Sequence, residues 1–195
     1  MKRSYAALTA IGLAMAAPVL MQTSVHAASA PMAEQTVNVG GQAMYPTKTI
    51  VGNAVNSADH TTLVAAVKAA GLVPTLNGPG PFTVFAPTNE AFTDLPAGTV
   101  DTLLKPENKP MLTKVLTYHV VAGDYDSTAL RSMILAGGGK ATLKTVEGGM
   151  LTFMMNGSSN IIVRDDKGDI ADITIADVKQ SNGVIHVIDK VLLPG

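Results

Sequence analysis

Few side chains in this sequence are of types that do chemistry, and their spacing decides what each is suited to. The pair Tyr118-His119 is the sharpest candidate, a phenol beside an imidazole. Read as the start of a strand running to Val121, these neighbours point to opposite faces, so one is expected buried and the other nearer solvent. The competing account places both inside, with the imidazole bonded to backbone and the tyrosine packed. Beyond the first thirty residues the histidines are His60, His119 and His186. Scattered, with no cysteine and no paired-His spacing, they form no zinc signature, and no metal site is expected. Asp165-Asp166-Lys167-Gly168-Asp169 invites a calcium reading because clustered carboxylates suit hard cations. It lacks full loop spacing and a distal glutamate, and a hairpin turn with Gly168 at positive φ explains it more simply. Met150, Met154 and Met155 could bind monovalent copper, but adjacent Met154 and Met155 face opposite ways on a strand, so core filling is the better account. There is no Gly-x-Ser-x-Gly elbow, no cysteine, no phosphate-cradling glycine loop and no His-Glu-x-x-His. A non-enzymatic protein without a cofactor is expected.

The elements that must position these residues are organised around Gly80–Phe92, GPFTVFAPTNEAF, which holds three of the four phenylalanines. Phe82, Val84 and Ala86 alternate with Thr83 and Phe85, the period of a strand that Pro87 stops. Thr88 is suited to cap a helix, with Glu90 in its first turn and Phe92 folding back on the strand. Phe82, Phe85 and Phe92 are therefore the expected centre of the core, joined by His186 from the closing strand.

Ahead of this segment, Ile50, Val51, Ala54 and Val55 recur at helical spacing. Asp59 or Ser57 is placed to cap a helix presenting Leu63, Val64 and Val67, ended by Gly71 in left-handed conformation with Leu72 against Val67. Behind it, a helix opened by Pro110 is expected to bury Met111, Leu112, Val115 and Leu116. Asp126 or Ser127 starts another through Leu130, Met133 and Ile134, and Gly137-Gly138-Gly139 ends it. The last third reads as hairpins, Leu143–Val146 with Leu151–Met155 and Ile161–Arg164 with Ile170–Ile175, before an apolar and therefore central strand Val184–Leu193. Helices first and strands after predict an α+β domain.

Three ordered segments resemble the fasciclin domain family: GPFTVFAPTNEAF, Tyr118-His119, and the closing run from Asn182 to Pro194. The resemblance extends from about Tyr45 to Gly195 and implies a compact β-sandwich with several helices packed along one side. It also implies adhesion. In animal fasciclin domains the Tyr-His dipeptide is implicated in integrin binding, a role the resemblance would put on Tyr118 and His119. The Asn182-Gly183 turn joins them as a candidate contact. The partner implied is a protein or glycan of the cell surface, matrix or envelope, met by a monomer carrying a single copy of the domain. The rival expectation is a small-ligand binder with a Met- and Leu-lined groove beside Phe82 and Phe92.

The termini and charge fit export. Lys2 and Arg3 precede an apolar run from Tyr5 to Leu20 and the small residues around Ala27 and Ala30, so residues 1–30 read as a signal peptide, 31–45 as a flexible tail and 46–195 as the domain. The apolar run is interrupted by Thr9, Gly12 and Pro18 and falls short of the roughly 20 residues that span a bilayer, so no stable membrane span is expected once it is cleaved. Removing Lys2 and Arg3 takes the formal net charge from −1 to −3. With no run of Lys and Arg, nucleic-acid binding is not expected. An exported chain without cysteine has to be stabilised by burial alone, in a secreted or periplasmic setting.

Overall fold

The computed structural model describes residues 36–195; the signal-peptide reading of residues 1–30 lies outside them. The stretch read as a flexible tail is a first correction. Strands β1 (Val37–Val39) and β2 (Gln42–Met44) pair antiparallel across Gly40-Gly41. Both glycines have positive φ, 58° and 74°, as a two-residue hairpin turn matched to strand twist requires. Val39 and Met44 enter the core. Two strands of three residues are too short to show a period in sequence.

Helices α1 (Ile50–Ala54), α2 (Thr61–Ala70) and α3 (Val73–Leu76) lead to strand β3 (Phe82–Pro87). Helices α4 (Asn89–Thr93), α5 (Thr99–Leu103) and α6 (Lys109–Tyr118) follow. The expected caps operate at several ends. Thr88 accepts from the Ala91 N–H at 3.3 Å, and Asp126 from the Ala129 N–H at 2.8 Å at the start of α7 (Ser127–Ala136). Gly71 closes α2 at φ 77°, and the Leu72 N–H donates to the Val67 carbonyl at 3.0 Å. Neither Ser57 nor Asp59 caps α2, because a 3-10 turn, Ala58–His60, comes between. In α6 the buried stripe is Leu112, Val115 and Leu116, while Met111 is 54% exposed. One residue ahead of Leu112 is about 100° round the helix, off that stripe.

The remaining strands are β4 (Val120–Ala122), β5 (Lys140–Lys144), β6 (Met150–Asn156), β7 (Asn160–Arg164), β8 (Ile170–Gln180) and β9 (Gly183–Ile188). They form one mixed sheet with β3, ordered β4-β3-β9-β8-β7-β6-β5, in which β3 and β9 are parallel and the other pairs antiparallel. Its ends meet. Val121 bridges Thr145, and the Val146 N–H donates to the Val120 carbonyl at 2.7 Å. The observed α+β architecture is therefore a sheet coiled almost into a barrel, with helices along one side. As expected, β9 is interior to the sheet, although it ends at Ile188 and the chain leaves the sheet before Val191 and Leu192 are buried.

Alternation along β3 divides the interior in two. Val84 and Ala86 face the helices, with Leu63, Val67, Phe92 and Leu116. Phe85 faces the inside of the coil, with Tyr118, Leu130, Phe153 and Ile188. A strand covered on both faces is apolar on both. Phe85 lies 5.2 Å from the Phe153 ring and 5.6 Å from the His186 ring, at aromatic-pair distance. Phe85, Phe92 and His186 are buried as expected; Phe82, at the strand's open end, is half-buried against the helical side.

Candidate functional site

Tyr118 and His119 do not alternate on a strand. Helix α6 continues through Tyr118, and His119 is its C-terminal cap. Both are buried, at 0% and 2% exposure, which corrects the expectation that one of them faces solvent. The Tyr118 hydroxyl donates to the Met150 carbonyl at 2.9 Å and accepts from the Asp166 N–H at 2.9 Å. It ties the end of α6 to the start of β6 and to the β7–β8 turn, and burial raises the phenol's pKa above its ordinary value. His119 Nδ1 lies 2.8 Å from the Val115 carbonyl, so it carries the proton, and Nε2 accepts from the Leu192 N–H at 2.9 Å. Desolvation lowers its pKa to about 4, so the ring is neutral at pH 7.

Asn182 is equally occupied. Its Oδ1 accepts from the Ile50 N–H at 3.0 Å, and its Nδ2 donates to the carbonyls of Leu76 at 2.7 Å and Gly78 at 3.0 Å. One amide thus joins α1, α3 and the turn before β9. Gly183 follows at φ 152°, where a Cβ would fall 1.9 Å from the Phe82 carbonyl oxygen. The glycine lets β9 lie against the start of β3.

Two clusters absent from the sequence reading bring nucleophile-type groups together. Ser57 Oγ lies 2.9 Å from His60 Nδ1, and the ring's Nε2 makes no hydrogen bond of normal geometry among the described residues. Both residues are buried, and Gly40 seals them, since a Cβ there would fall 2.5 Å from Ser57 Oγ. At the other, the Ser127 hydroxyl and N–H both donate to the Asp177 carboxylate, at 2.5 and 2.6 Å, and the Asp177 N–H donates to His186 Nδ1 at 3.4 Å. His186 Nε2 then donates to the Tyr125 carbonyl at 2.8 Å. Acyl transfer needs serine against histidine and histidine against carboxylate; here serine holds the carboxylate. Burial lowers the pKa of both His60 and His186. The i, i+3 spacing of Ser57 and His60 was the available sequence signal, whereas the Ser127–Asp177 contact closes over fifty residues and leaves none.

The Asp165 turn builds structure. One carboxylate oxygen accepts from the N–H groups of Lys167 at 3.0 Å and Asp169 at 2.9 Å, and the other from the Leu193 N–H at 2.9 Å. Gly168 has φ 92°, as the hairpin reading requires. Among the described residues no three His, Asp or Glu side chains are grouped to hold a metal. Beside Phe92 lies a small apolar hollow of roughly 10 Å³ lined by Leu103, Leu104, Leu112 and Leu116, without methionine and without Phe82; a larger one lies under α1, α2 and α3, lined by Ile50, Val51, Leu63, Val67 and Leu76. Its roughly 40 Å³ is close to the space of one water molecule. No described helix is long and apolar enough to cross a membrane.

A nearly closed mixed sheet with helices along one side defines the class of domain, and comparison with known proteins names it. The fasciclin domain family matches residues 58–194, and the chain belongs to that family. It is 44% identical over 193 residues to protein sll1483 of Synechocystis sp., covering 98% of this chain and 94% of that one. It is 35% identical over 162 residues to cell surface glycolipoprotein MPB83 of Mycobacterium bovis, covering 80% and 64%. The fold matches the FAS1 domain pair of the insect cell adhesion molecule Fasciclin I with a TM-score of 0.69 at 19% identity, over 76% of this chain and 52% of that one.

Proposed function

We propose that this chain is an exported, non-enzymatic protein that associates with surfaces by binding cell-surface, matrix or envelope components. The observation that carries the reading is family membership across residues 58–194. The insect cell adhesion molecule that shares the fold and the cell-surface glycolipoprotein that shares the sequence support it. Export is supported by Lys2, Arg3 and the apolar run behind them. The hydroxyl, imidazole and amide groups of Tyr118, His119 and Asn182 are engaged by backbone, so these three and Gly183 serve adhesion by holding the surface in shape. The test is saturable binding of labelled chain to cells lacking their own copy. A binding curve that stays linear with concentration would remove the reading.

A further inference from the structure

We propose that Asn156 is a site of spontaneous modification, at which the Gly157 backbone nitrogen displaces the side-chain amide and water then leaves aspartate or isoaspartate at the β6–β7 turn. The inference is independent of the surface-association reading.

Three Asn-Gly pairs occur in the chain, Asn77-Gly78, Asn156-Gly157 and Asn182-Gly183. Such a pair suits the reaction because glycine has no side chain to shield its nitrogen from the Cγ of the residue before it. In the first step that nitrogen gives up its proton to solvent and bonds to Cγ, while the bond from Cγ to Nδ2 breaks and ammonia leaves. The product is a cyclic imide. Water then opens the ring at one of its two carbonyls. Opening at the side-chain carbonyl restores the main chain and leaves aspartate; opening at the backbone carbonyl leaves isoaspartate, with the main chain running through Cβ and Cγ. One water enters, one ammonia leaves, and nothing is oxidised or reduced.

The structure separates the three pairs. Asn182 is buried, its amide is held by Ile50, Leu76 and Gly78, and Gly183 lies hard against the Phe82 backbone. Asn77 is exposed, but its Oδ1 accepts from the Thr49 hydroxyl at 2.7 Å and the Gly78 N–H donates to the Thr75 carbonyl at 3.1 Å. Both of its reacting groups are engaged. Asn156 ends β6, and Gly157, Ser158 and Ser159 make the exposed tip of the hairpin with β7. The Gly157 N–H makes no hydrogen bond among the described residues, and beyond its chain neighbours no atom lies within 4 Å of the place of a Cβ. The Asn156 side chain has a single contact among the described residues, a long one of 3.4 Å from Nδ2 to Asp172 Oδ1. Nitrogen, Cγ and water therefore meet at this pair without unfolding of the domain.

Conversion changes the turn it occurs in. Asn160 donates to the same Asp172 oxygen at 2.7 Å. A carboxylate at position 156 turns the Asn156 contact with Asp172 into repulsion between neighbouring strands. Isoaspartate also lengthens the main chain by one carbon, which displaces the tip from its pairing with Asn160 and from Arg131 of α7, whose guanidinium donates to the Ser159 carbonyl.

The test is peptide mapping by mass spectrometry of the chain, as its host produces it, held in warm, mildly alkaline buffer both folded and unfolded in urea. In urea all three pairs are expected to convert at similar rates. In the folded chain Asn156 is expected to convert, Asn77 to lag about tenfold or more because its ring closes only when its hydrogen bonds are open, and Asn182 to stay intact. Gly157→Ala should slow conversion at Asn156 alone. The product should contain both aspartate and isoaspartate, and the converted chain, separated by ion exchange, should exchange its Asn160 amide hydrogen faster than the unconverted one. An intact Asn156 in the folded chain, conversion there as fast at Asn77 or Asn182, or aspartate without isoaspartate overturns the proposed site. Equal exchange at Asn160 in the two forms overturns the proposed effect on the turn.

Discussion

Lowering the pH from 7 to 5 tests the buried histidine network. His119 has a folded pKa of about 4 against 6.5 for the free ring, through desolvation. Its lone pair on Nε2 holds the Leu192 N–H, and protonation would replace that acceptor with a donor. A base whose folded pKa is depressed contributes stability that is fully present above 6.5 and is lost as pH falls towards 4. The whole gap is worth about 3 kcal/mol, and about 2 kcal/mol of it is gone by pH 5. His60 and His186 are shifted in the same direction by the same cause, so they steepen the fall. Folded domains have a total stability of only about 5–15 kcal/mol. Urea unfolding followed by far-UV circular dichroism at both pH values reads the loss directly. In His119→Phe the domain should be less stable at pH 7, because Leu192 N–H is left unpaired in the interior, yet lose about 2 kcal/mol less than wild type between pH 7 and 5. Identical losses in the two proteins would refute the assignment of His119 as a neutral, internal acceptor.

Other substitutions probe the remaining staples. Asn182→Ala strands the Ile50 N–H and the Leu76 carbonyl, and a drop of about 2–4 kcal/mol is expected in the same unfolding assay. Gly183→Ala sets a Cβ against Phe82 backbone that cannot move aside, so soluble yield should fall sharply; a stable, fully expressed variant would contradict the close approach of β9 to β3. Tyr118→Phe removes a hydroxyl bonded to Met150 and Asp166, with an expected cost of about 1–3 kcal/mol. Leu135, 76% exposed at the end of α7, should accept Glu within about 0.5 kcal/mol, as measured by thermal midpoint.

How much of this was legible depended on the range of each interaction. Thr88, Gly71 and Asp126 act on backbone within a few residues, and their positions were readable from local patterns. Phe85 was placed in the core by type and period, but that it faces a different interior from Val84 requires the coiling of the whole sheet. Tyr118-His119 reads as strand because the apolar run Val120-Val121 follows directly, while the i, i+3, i+4 stripe of α6 carries the helix through Tyr118. Asn182 bonds Ile50 across 132 positions, and no local signal reports such a contact. The hairpin at Val37–Met44 leaves no signal in the sequence because its strands are too short for a period to emerge and its burial comes from elements that follow.

The most direct test of surface association is an equilibrium binding isotherm of labelled chain on cells lacking it, with Tyr118→Phe alongside. Saturable binding, with unchanged affinity in the folded variant, is the expected result, because the phenol acts inside the domain. Absence of saturation in wild type would contradict the adhesive function. Loss of affinity in a fully folded Tyr118→Phe would contradict the internal role given to that residue.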